Sequence, residues 1–210
     1  MSSSRIAHAA LTIIAAVGLF LEYLWALSQH PDQPLIQTAH YVSFFTIQTN
    51  TLVFLASIGM AIGSGRFHRW ASAAGTRAAL AVYILVVAVV FQALLAGHQK
   101  FNAVGWWGNL LAHQIVPGFW IVCWLWFRPH GGIDRGGPWR WLIYPLGYCG
   151  WTMIVGGVAG WYPYFFLNPD RVGWGVAGYI AGISALFLAL GLGFRWIDGR
   201  LALRAAREAV

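Results

Sequence analysis

Six apolar stretches, each of about 20 residues, follow one another along this chain and constrain its fold more than any other feature. A stretch of this length can cross the hydrocarbon core of a bilayer as a single α-helix. The predicted spans are 6–27, 41–62, 78–96, 106–127, 141–161 and 173–194. We therefore predict an all-α polytopic membrane protein, a bundle of six transmembrane helices that forms one domain over residues 1–210.

The composition agrees with a protein that is surrounded by lipid. Hydrophobic residues make up 59% of the 210-residue chain and charged residues only 9%, whereas about a quarter of the residues in soluble domains are charged. Cys123 and Cys149 both lie inside apolar stretches, which indicates buried side chains rather than a disulfide framework or a metal cluster. We predict no metal ion and no cofactor.

The basic residues are distributed unevenly between the two sides of the predicted bundle. Lys100 and Arg171 lie on one side, and eleven arginines lie on the other: Arg5, Arg66, Arg69, Arg77, Arg128, Arg135, Arg140, Arg195, Arg200, Arg204 and Arg207. Because cytoplasmic loops carry an excess of basic residues, both termini are predicted to be cytoplasmic. The net charge of +7 then reflects orientation, so the expected partners are membrane lipids, contacted by a short basic tail at 195–210, and not nucleic acid.

The second predicted span carries an unusual number of polar side chains. Six of them fall within nine positions: Ser43, Thr46, Gln48, Thr49, Asn50 and Thr51. Polar groups are costly in hydrocarbon, because nothing there replaces water as a hydrogen-bond partner. Ser43, Thr46 and Asn50 are spaced i, i+3 and i+7, so they share one face of the helix. The predicted orientation places this face in the outer half of the bundle.

Polar groups of other spans are expected at the same depth. Asn109, His113 and Pro117 are spaced i, i+4 and i+8 on the fourth span, and His113 would lie roughly 10 Å below its outer end, level with Thr46. Glu22 lies near the outer end of the first span. The inner halves of the spans carry few polar residues, so we expect one polar site in the outer half.

A hydroxyl and an imidazole at one depth favour nucleophilic acyl transfer. A Ser or Thr hydroxyl needs a base to remove its proton, which indicates Ser43 or Thr46 as nucleophile and His113 as base. Asn50 and Asn109 are candidate oxyanion donors. Each group also has a structural interpretation, since Ser and Thr in spanning helices often bond to their own i−4 carbonyls and Asn often joins helices.

Three segments resemble the androgen-induced-protein family of multi-spanning membrane proteins, in its compact bacterial branch. They are Tyr-x-Ser-Phe-Phe-Thr-Ile-Gln-Thr-Asn at 41–50, Asn-Leu-Leu-Ala-His-Gln-Ile-Val-Pro at 109–117, and Trp-Tyr-Pro-Tyr-Phe-Phe-Leu at 161–167. The similarity extends over nearly the whole chain, including the spacing between these segments. It implies a location in the bacterial inner membrane.

The resemblance also implies an activity. Eukaryotic members are described as intramembrane threonine hydrolases of fatty-acid esters of hydroxy fatty acids, with a Thr on the second span and a His that corresponds to His113. A gapless match places Ser43 at the family's Thr, whereas Thr46 keeps the residue type one turn deeper. Both hydroxyls therefore remain candidate nucleophiles.

The leading prediction is an intramembrane hydrolase that acts on a lipid-like, apolar ester. Tyr162 and Tyr164, in the loop after the fifth span, would position the substrate or guard its entry, or else belong to an interfacial aromatic belt. Two other functions are consistent with the sequence. One is a small-solute transporter or channel with a polar outer vestibule, and the other is a haem protein with His113 and His40 as axial ligands.

Overall fold

The computed structural model describes residues 2–97 and 100–208, and all regular structure in this part of the chain is helical. The longer helices are α1 (Ser3–Gln29), α3 (Phe45–Ile62), α5 (Ala74–Val90), α6 (Ala103–Leu110), α7 (Val116–Trp126), α9 (Ile143–Ala159) and α11 (Gly175–Arg207). The shorter ones are α2 (Pro34–Ser43), α4 (Gly65–Ser72), α8 (Gly137–Arg140) and α10 (Pro169–Val172). Two π-helical turns, Phe91–Leu95 and Leu111–Ile115, and a 3₁₀ turn, Phe165–Leu167, complete the secondary structure of the described residues.

Five helical segments are long and apolar enough to cross a membrane. They are Ser3–Gln29, Phe45–Ile62, Ala74–Leu95, Gly137–Ala159 and Gly175–Arg207. Large apolar side chains on these segments and beside them, such as Ile13, Val158 and Trp174, point away from the bundle, and Trp174 is 95% exposed. Because such side chains are stable when lipid surrounds them, the all-helical chain is a polytopic integral membrane protein.

The predicted fourth span, 106–127, lies in a stretch that is helical throughout but is not among these five segments. It comprises α6, a π turn and α7, and it runs from Ala103 to Trp126. Asn109, His113 and Gln114 lower the hydropathy of its middle. The sixth span and the cytoplasmic position of the termini therefore remain predictions.

The predicted second span is not one helix. α2 ends at Ser43, the backbone of Phe44 is extended (φ −73°, ψ 131°), and α3 begins at Phe45. The hydroxyl of Tyr148 donates to the carbonyl of Ser43 over 2.9 Å, so this carbonyl has a partner without a continuous helix. The break separates Ser43, at the end of α2, from Thr46 and Asn50 on α3.

The two ends of the chain differ from the prediction in smaller ways. The predicted tail at 195–210 is a direct continuation of α11 as far as Arg207, with no break after the apolar part of the helix. Residues 1, 98, 99, 209 and 210, which the predicted domain includes, lie outside the described part of the chain.

A buried polar cluster lies at the end of the bundle opposite the predicted site, just outside the predicted spans. Arg77 is buried and donates to the backbone carbonyls of Trp124, Phe127 and Pro129. These hydrogen bonds satisfy carbonyls that have no partner within the helix where α7 ends. Asp198 is also buried and lies 3.6 Å from His130.

His130 lies between α7 and α8 and interacts electrostatically with Arg77 and Asp198 of this cluster. Burial and the positive charge of Arg77 lower the pKa of His130, although Asp198 opposes the shift. The cluster closes a helix end, and its polar residues are far apart in the sequence, which is why their pairing was not predicted.

Close contact between α1 and the segment containing α6 determines where the polar residues of the two helices meet. A Cβ atom on Gly108 would lie 2.9 Å from the backbone nitrogen of Glu22, and one on Gly18 would lie 3.0 Å from the Cβ of Leu111. Glycine at these positions lets the two backbones approach, as small residues do between membrane helices. The contact holds Glu22 beside the turn that carries His113.

We predict that Gly108→Ala destabilises the fold by about 1–3 kcal/mol, because the new methyl group must displace the backbone of α1. The matched control is Gly182→Ala, since a Cβ atom there meets nothing within 4 Å and alanine favours the helix. Thermal unfolding of the purified protein in detergent measures the difference. Equal midpoints for the two variants would contradict the close contact.

Candidate functional site

Two π-helical turns border the candidate site. In each turn a backbone N–H bonds to the carbonyl five residues earlier, Ala96 to Phe91 and Val116 to Leu111. The turns bring the ring of Phe91 against the ring of His113, with 4.0 Å between the ring centroids. Single π turns inside α-helices are frequent at functional sites. The sequence pattern did not reveal them, because a single wide turn is too short to produce a recognisable period of its own.

Thr46 and His113 meet in the interior of the bundle. The hydroxyl oxygen of Thr46 lies 3.4 Å from Nε2 of His113, and both residues are buried, with 8% and 7% of their surfaces exposed. This separation is at the long end of a hydrogen bond, as is common in sites without a bound substrate. Thr46 and His113 are thus the hydroxyl and imidazole that the fold brings together.

Tyr164 completes this group of side chains. Its hydroxyl lies 3.4 Å from the Thr46 hydroxyl and accepts a hydrogen bond of 3.3 Å from the Thr46 backbone N–H. Thr46 is in the first turn of α3, where backbone N–H groups have no partner within the helix. The break at Phe44 therefore creates the free N–H, and Tyr164 binds to it.

The surroundings of Nδ1 indicate the protonation of His113. Nδ1 lies 3.1 Å from the backbone carbonyl of Asn109 and 3.1 Å from the side-chain nitrogen of the same residue. A carbonyl can only accept, so a proton on Nδ1 satisfies it and leaves Nε2 as the acceptor that faces Thr46. The other tautomer would accept the Asn109 amide hydrogen and point Nε2–H at Thr46.

Asn50 holds the two helices of the site together. Its side-chain nitrogen donates to the carbonyl of Thr46 over 2.9 Å and to the carbonyl of Ala112 over 3.1 Å. Both amide hydrogens are thus used on carbonyls of the two segments that carry Thr46 and His113. A role of Asn50 as oxyanion donor stays a prediction, and it would require one of these bonds to open.

Ser43 and Tyr162 lie apart from the pair formed by Thr46 and His113. The Ser43 hydroxyl donates to the carbonyl of Ala39 over 2.7 Å, one turn earlier in α2. The ring of Tyr162 occupies the space above Gly156, where a Cβ atom would overlap it. In the described residues neither side chain has a hydrogen bond to His113.

Two cavities meet at Thr46. The first is apolar and is lined by Val86, Val90, Phe166, Ile180, Ile183 and Phe187, among others. The wall of the second is also mainly apolar, with Trp25 and Phe44, but it includes several polar residues, and we call it the polar cavity: Glu22, Tyr41, Asn109 and His113. Thr46, Phe91, Leu95 and Tyr164 border both cavities and separate them.

Both cavities are large enough for small groups or water. The volume in which the centre of a water molecule fits is about 70 Å³ in the apolar cavity and about 60 Å³ in the polar cavity. A single ordered water needs roughly 10–15 Å³ measured in this way, together with polar partners. The polar cavity offers such partners, so it can hold a few water molecules next to His113.

His40, the second histidine of the haem hypothesis, takes part in a different interaction. Its ring stacks on Trp161 with 3.8 Å between centroids and an angle of 6° between the planes. The same indole also contacts Phe44, and Phe44 in turn contacts Tyr164. Axial ligation by His40 and His113 would have to break this stack and the Nε2 contact with Thr46.

The chain was compared with protein-family models, with curated proteins and with solved structures, and none of them matches it. The resemblance to the androgen-induced-protein family therefore stays a prediction.

Proposed function

We propose that this protein is an intramembrane ester hydrolase, with Thr46 as nucleophile and His113 as general base. The observation that supports it most is the position of the Thr46 hydroxyl, 3.4 Å from Nε2 of His113, where an apolar and a polar cavity meet. The two halves of a fatty-acid ester match the two cavities, because its alkyl chain suits the apolar cavity and its alcohol half suits the polar cavity. The choice of Thr46 over Ser43 rests on their different hydrogen bonds.

In the first step Thr46 would become acylated. Nε2 of His113 takes the proton of the Thr46 hydroxyl while the oxygen of Thr46 forms a bond to the ester carbonyl carbon. The tetrahedral intermediate then collapses, the bond between the carbonyl carbon and the alcohol oxygen breaks, and His113 gives its proton to the departing alcohol. Nδ1–H keeps its proton and donates to the Asn109 carbonyl throughout, which holds the ring in place.

In the second step water would release the acid. A water molecule in the polar cavity gives a proton to Nε2 and attacks the acyl carbon, after which the bond to the Thr46 oxygen breaks and His113 returns the proton to Thr46. The products are a carboxylic acid and an alcohol, and the enzyme regains its initial state.

Tyr164 is the group best arranged to stabilise the oxyanion. Its hydroxyl is beside the Thr46 hydroxyl and is bound by the Thr46 N–H, so the phenol hydrogen and a backbone N–H of the first turn of α3 lie near the acyl carbon. Such donors act strongly in a site from which water is excluded. In this proposal Asn109 orients His113, and Tyr162 has no catalytic part.

We also propose that the chain has six spans with both termini cytoplasmic, in a bacterial inner membrane. In support, the segment from Ala103 to Trp126 packs against α1 through Gly108 and against α5 through Trp120, whose indole N–H donates to the carbonyl of Arg77. Packing of this segment against two of the apolar helices supports a sixth span. The uneven distribution of arginines supports the orientation, which places the site in the outer half.

A fluorophosphonate that reacts with activated hydroxyl groups tests the nucleophile. We expect labelling of the wild-type protein and of Ser43→Ala, retention of labelling in Thr46→Ser, and its loss in Thr46→Val and His113→Ala. Thr46→Val keeps the shape of the side chain, so a loss reports on the hydroxyl. Labelling of Thr46→Val at the wild-type rate would contradict the proposal, and solute flux into proteoliposomes without labelling would favour a transporter.

Two tyrosine variants test the oxyanion site. Tyr164→Phe should lower kcat by about 100-fold with little change in KM, because the donor acts on charge that develops in the transition state. Tyr162→Phe is the matched control and should keep kcat near the wild-type value, since that hydroxyl is outside the group formed by Thr46 and His113. Ester hydrolysis in detergent gives both constants, and equal kcat values for the two variants would exclude this role of Tyr164.

A further inference from the structure

The Glu22 carboxyl group is buried in α1 without a complete set of partners. Only 8% of the residue is exposed, and Oε1 has no hydrogen-bond partner among the described residues. Buried polar atoms in folded proteins are nearly always bonded, so an unpaired one that faces a cavity indicates a ligand or water. An unpaired carboxyl group costs more free energy inside a membrane protein than in the interior of a soluble one.

Two polar neighbours that line the same cavity already have hydrogen-bond partners. The hydroxyl of Tyr41 donates to the carbonyl of Leu19 over 2.7 Å, and Nδ1 of His113 is bonded to Asn109. Glu22 lines the polar cavity, and its Oε1 atom has no hydrogen-bond partner among the described residues.

The arrangement of the two cavities decides which part of an ester would meet this oxygen. The alkyl chain of the acid suits the apolar cavity on the far side of Thr46, which leaves the alcohol half on the side of Glu22. A carboxyl group accepts hydrogen bonds in either protonation state, a cationic group beside it favours the carboxylate form, and two carboxylates repel each other. An alcohol half that carries a donor would satisfy the free oxygen, whereas an alkyl group would leave it unpaired.

We propose that Glu22 determines the specificity of the site, by selecting esters whose alcohol half carries a hydroxyl or protonated amino group close to the ester bond. This inference rests on the proposed hydrolase function. It narrows the substrate class from lipid-like esters in general to esters of polyols or amino alcohols. It also disfavours esters whose alcohol half ends in a carboxylate. Glu22 is a binding residue in this scheme and takes no part in bond cleavage.

Four decanoate esters that differ only in the alcohol test the proposal with purified wild-type protein: ethyl, 2-hydroxyethyl, 2-(dimethylamino)ethyl and 2-carboxyethyl. We expect kcat/KM for the hydroxyethyl and dimethylaminoethyl esters to exceed that of the ethyl ester by about tenfold or more, since hydrogen bonds to a buried charged group are strong. The carboxyethyl ester should be the poorest substrate. These ratios need no variant, so they are independent of any effect of mutation on folding.

Variants assign the selectivity to Glu22. In Glu22→Leu, kcat/KM for the hydroxyethyl and dimethylaminoethyl esters, each divided by that of the ethyl ester, should fall to about one. Glu22→Gln keeps an acceptor but no charge, so it should retain part of the preference for hydroxyethyl and lose the preference for the ammonium group. Asp170→Asn, which changes an exposed acid on the predicted outer side, is the control and should keep the wild-type ratios.

The outcomes separate this inference from the function on which it rests. Equal rates for the four esters, or preferences that survive Glu22→Leu, would overturn the role of Glu22 and leave the hydrolase intact. Failure to hydrolyse any of the esters, together with absent fluorophosphonate labelling, would overturn the hydrolase and the specificity with it.

Discussion

The interruption of the helix at Phe44 is the constraint on which the site depends. A continuous helix would occupy the carbonyl of Ser43 and the N–H of Thr46 with its own hydrogen bonds. Here two tyrosine hydroxyls bind them instead, Tyr148 to the carbonyl of Ser43 and Tyr164 to the N–H of Thr46. The cost of exposing backbone groups in an apolar interior is thereby avoided, and a helix N-terminus is placed inside the bundle. Thr46 lies in its first turn, next to Tyr164 and His113.

His113 owes its position to backbone irregularities of a different kind. The π turn at Leu111–Ile115 and the close contact of Gly108 with α1 set the height and direction of its ring, and the Asn109 carbonyl fixes the side of the ring that faces Thr46. Asn50 then joins the two segments through the carbonyls of Thr46 and Ala112. The groups proposed for chemistry are thus held by polar contacts between helices, in an interior where few water molecules compete for these contacts.

Much of the fold could be predicted from the sequence, because length and apolarity decide which helices suit a bilayer. The common depth of Thr46 and His113 followed from helix geometry alone. The break at Phe44 and the π turns could not be predicted in this way, because they depend on tyrosine hydroxyls and ring contacts supplied by distant segments. For the same reason periodicity left Ser43 and Thr46 as equivalent candidates, although their hydroxyls have different partners. The buried cluster around Arg77 was missed because its acceptors are backbone carbonyls, which no residue type identifies.

The most direct test of the central claim is to locate the covalent adduct. The purified protein would be treated with a fluorophosphonate, digested with chymotrypsin and analysed by tandem mass spectrometry. Cleavage after Phe44 or Phe45 separates Ser43 from Thr46, so the two hydroxyls fall on different peptides. The account predicts that the adduct is on Thr46 and is lost in His113→Ala. An adduct on Ser43, or one on Thr46 that forms equally fast without His113, would contradict it.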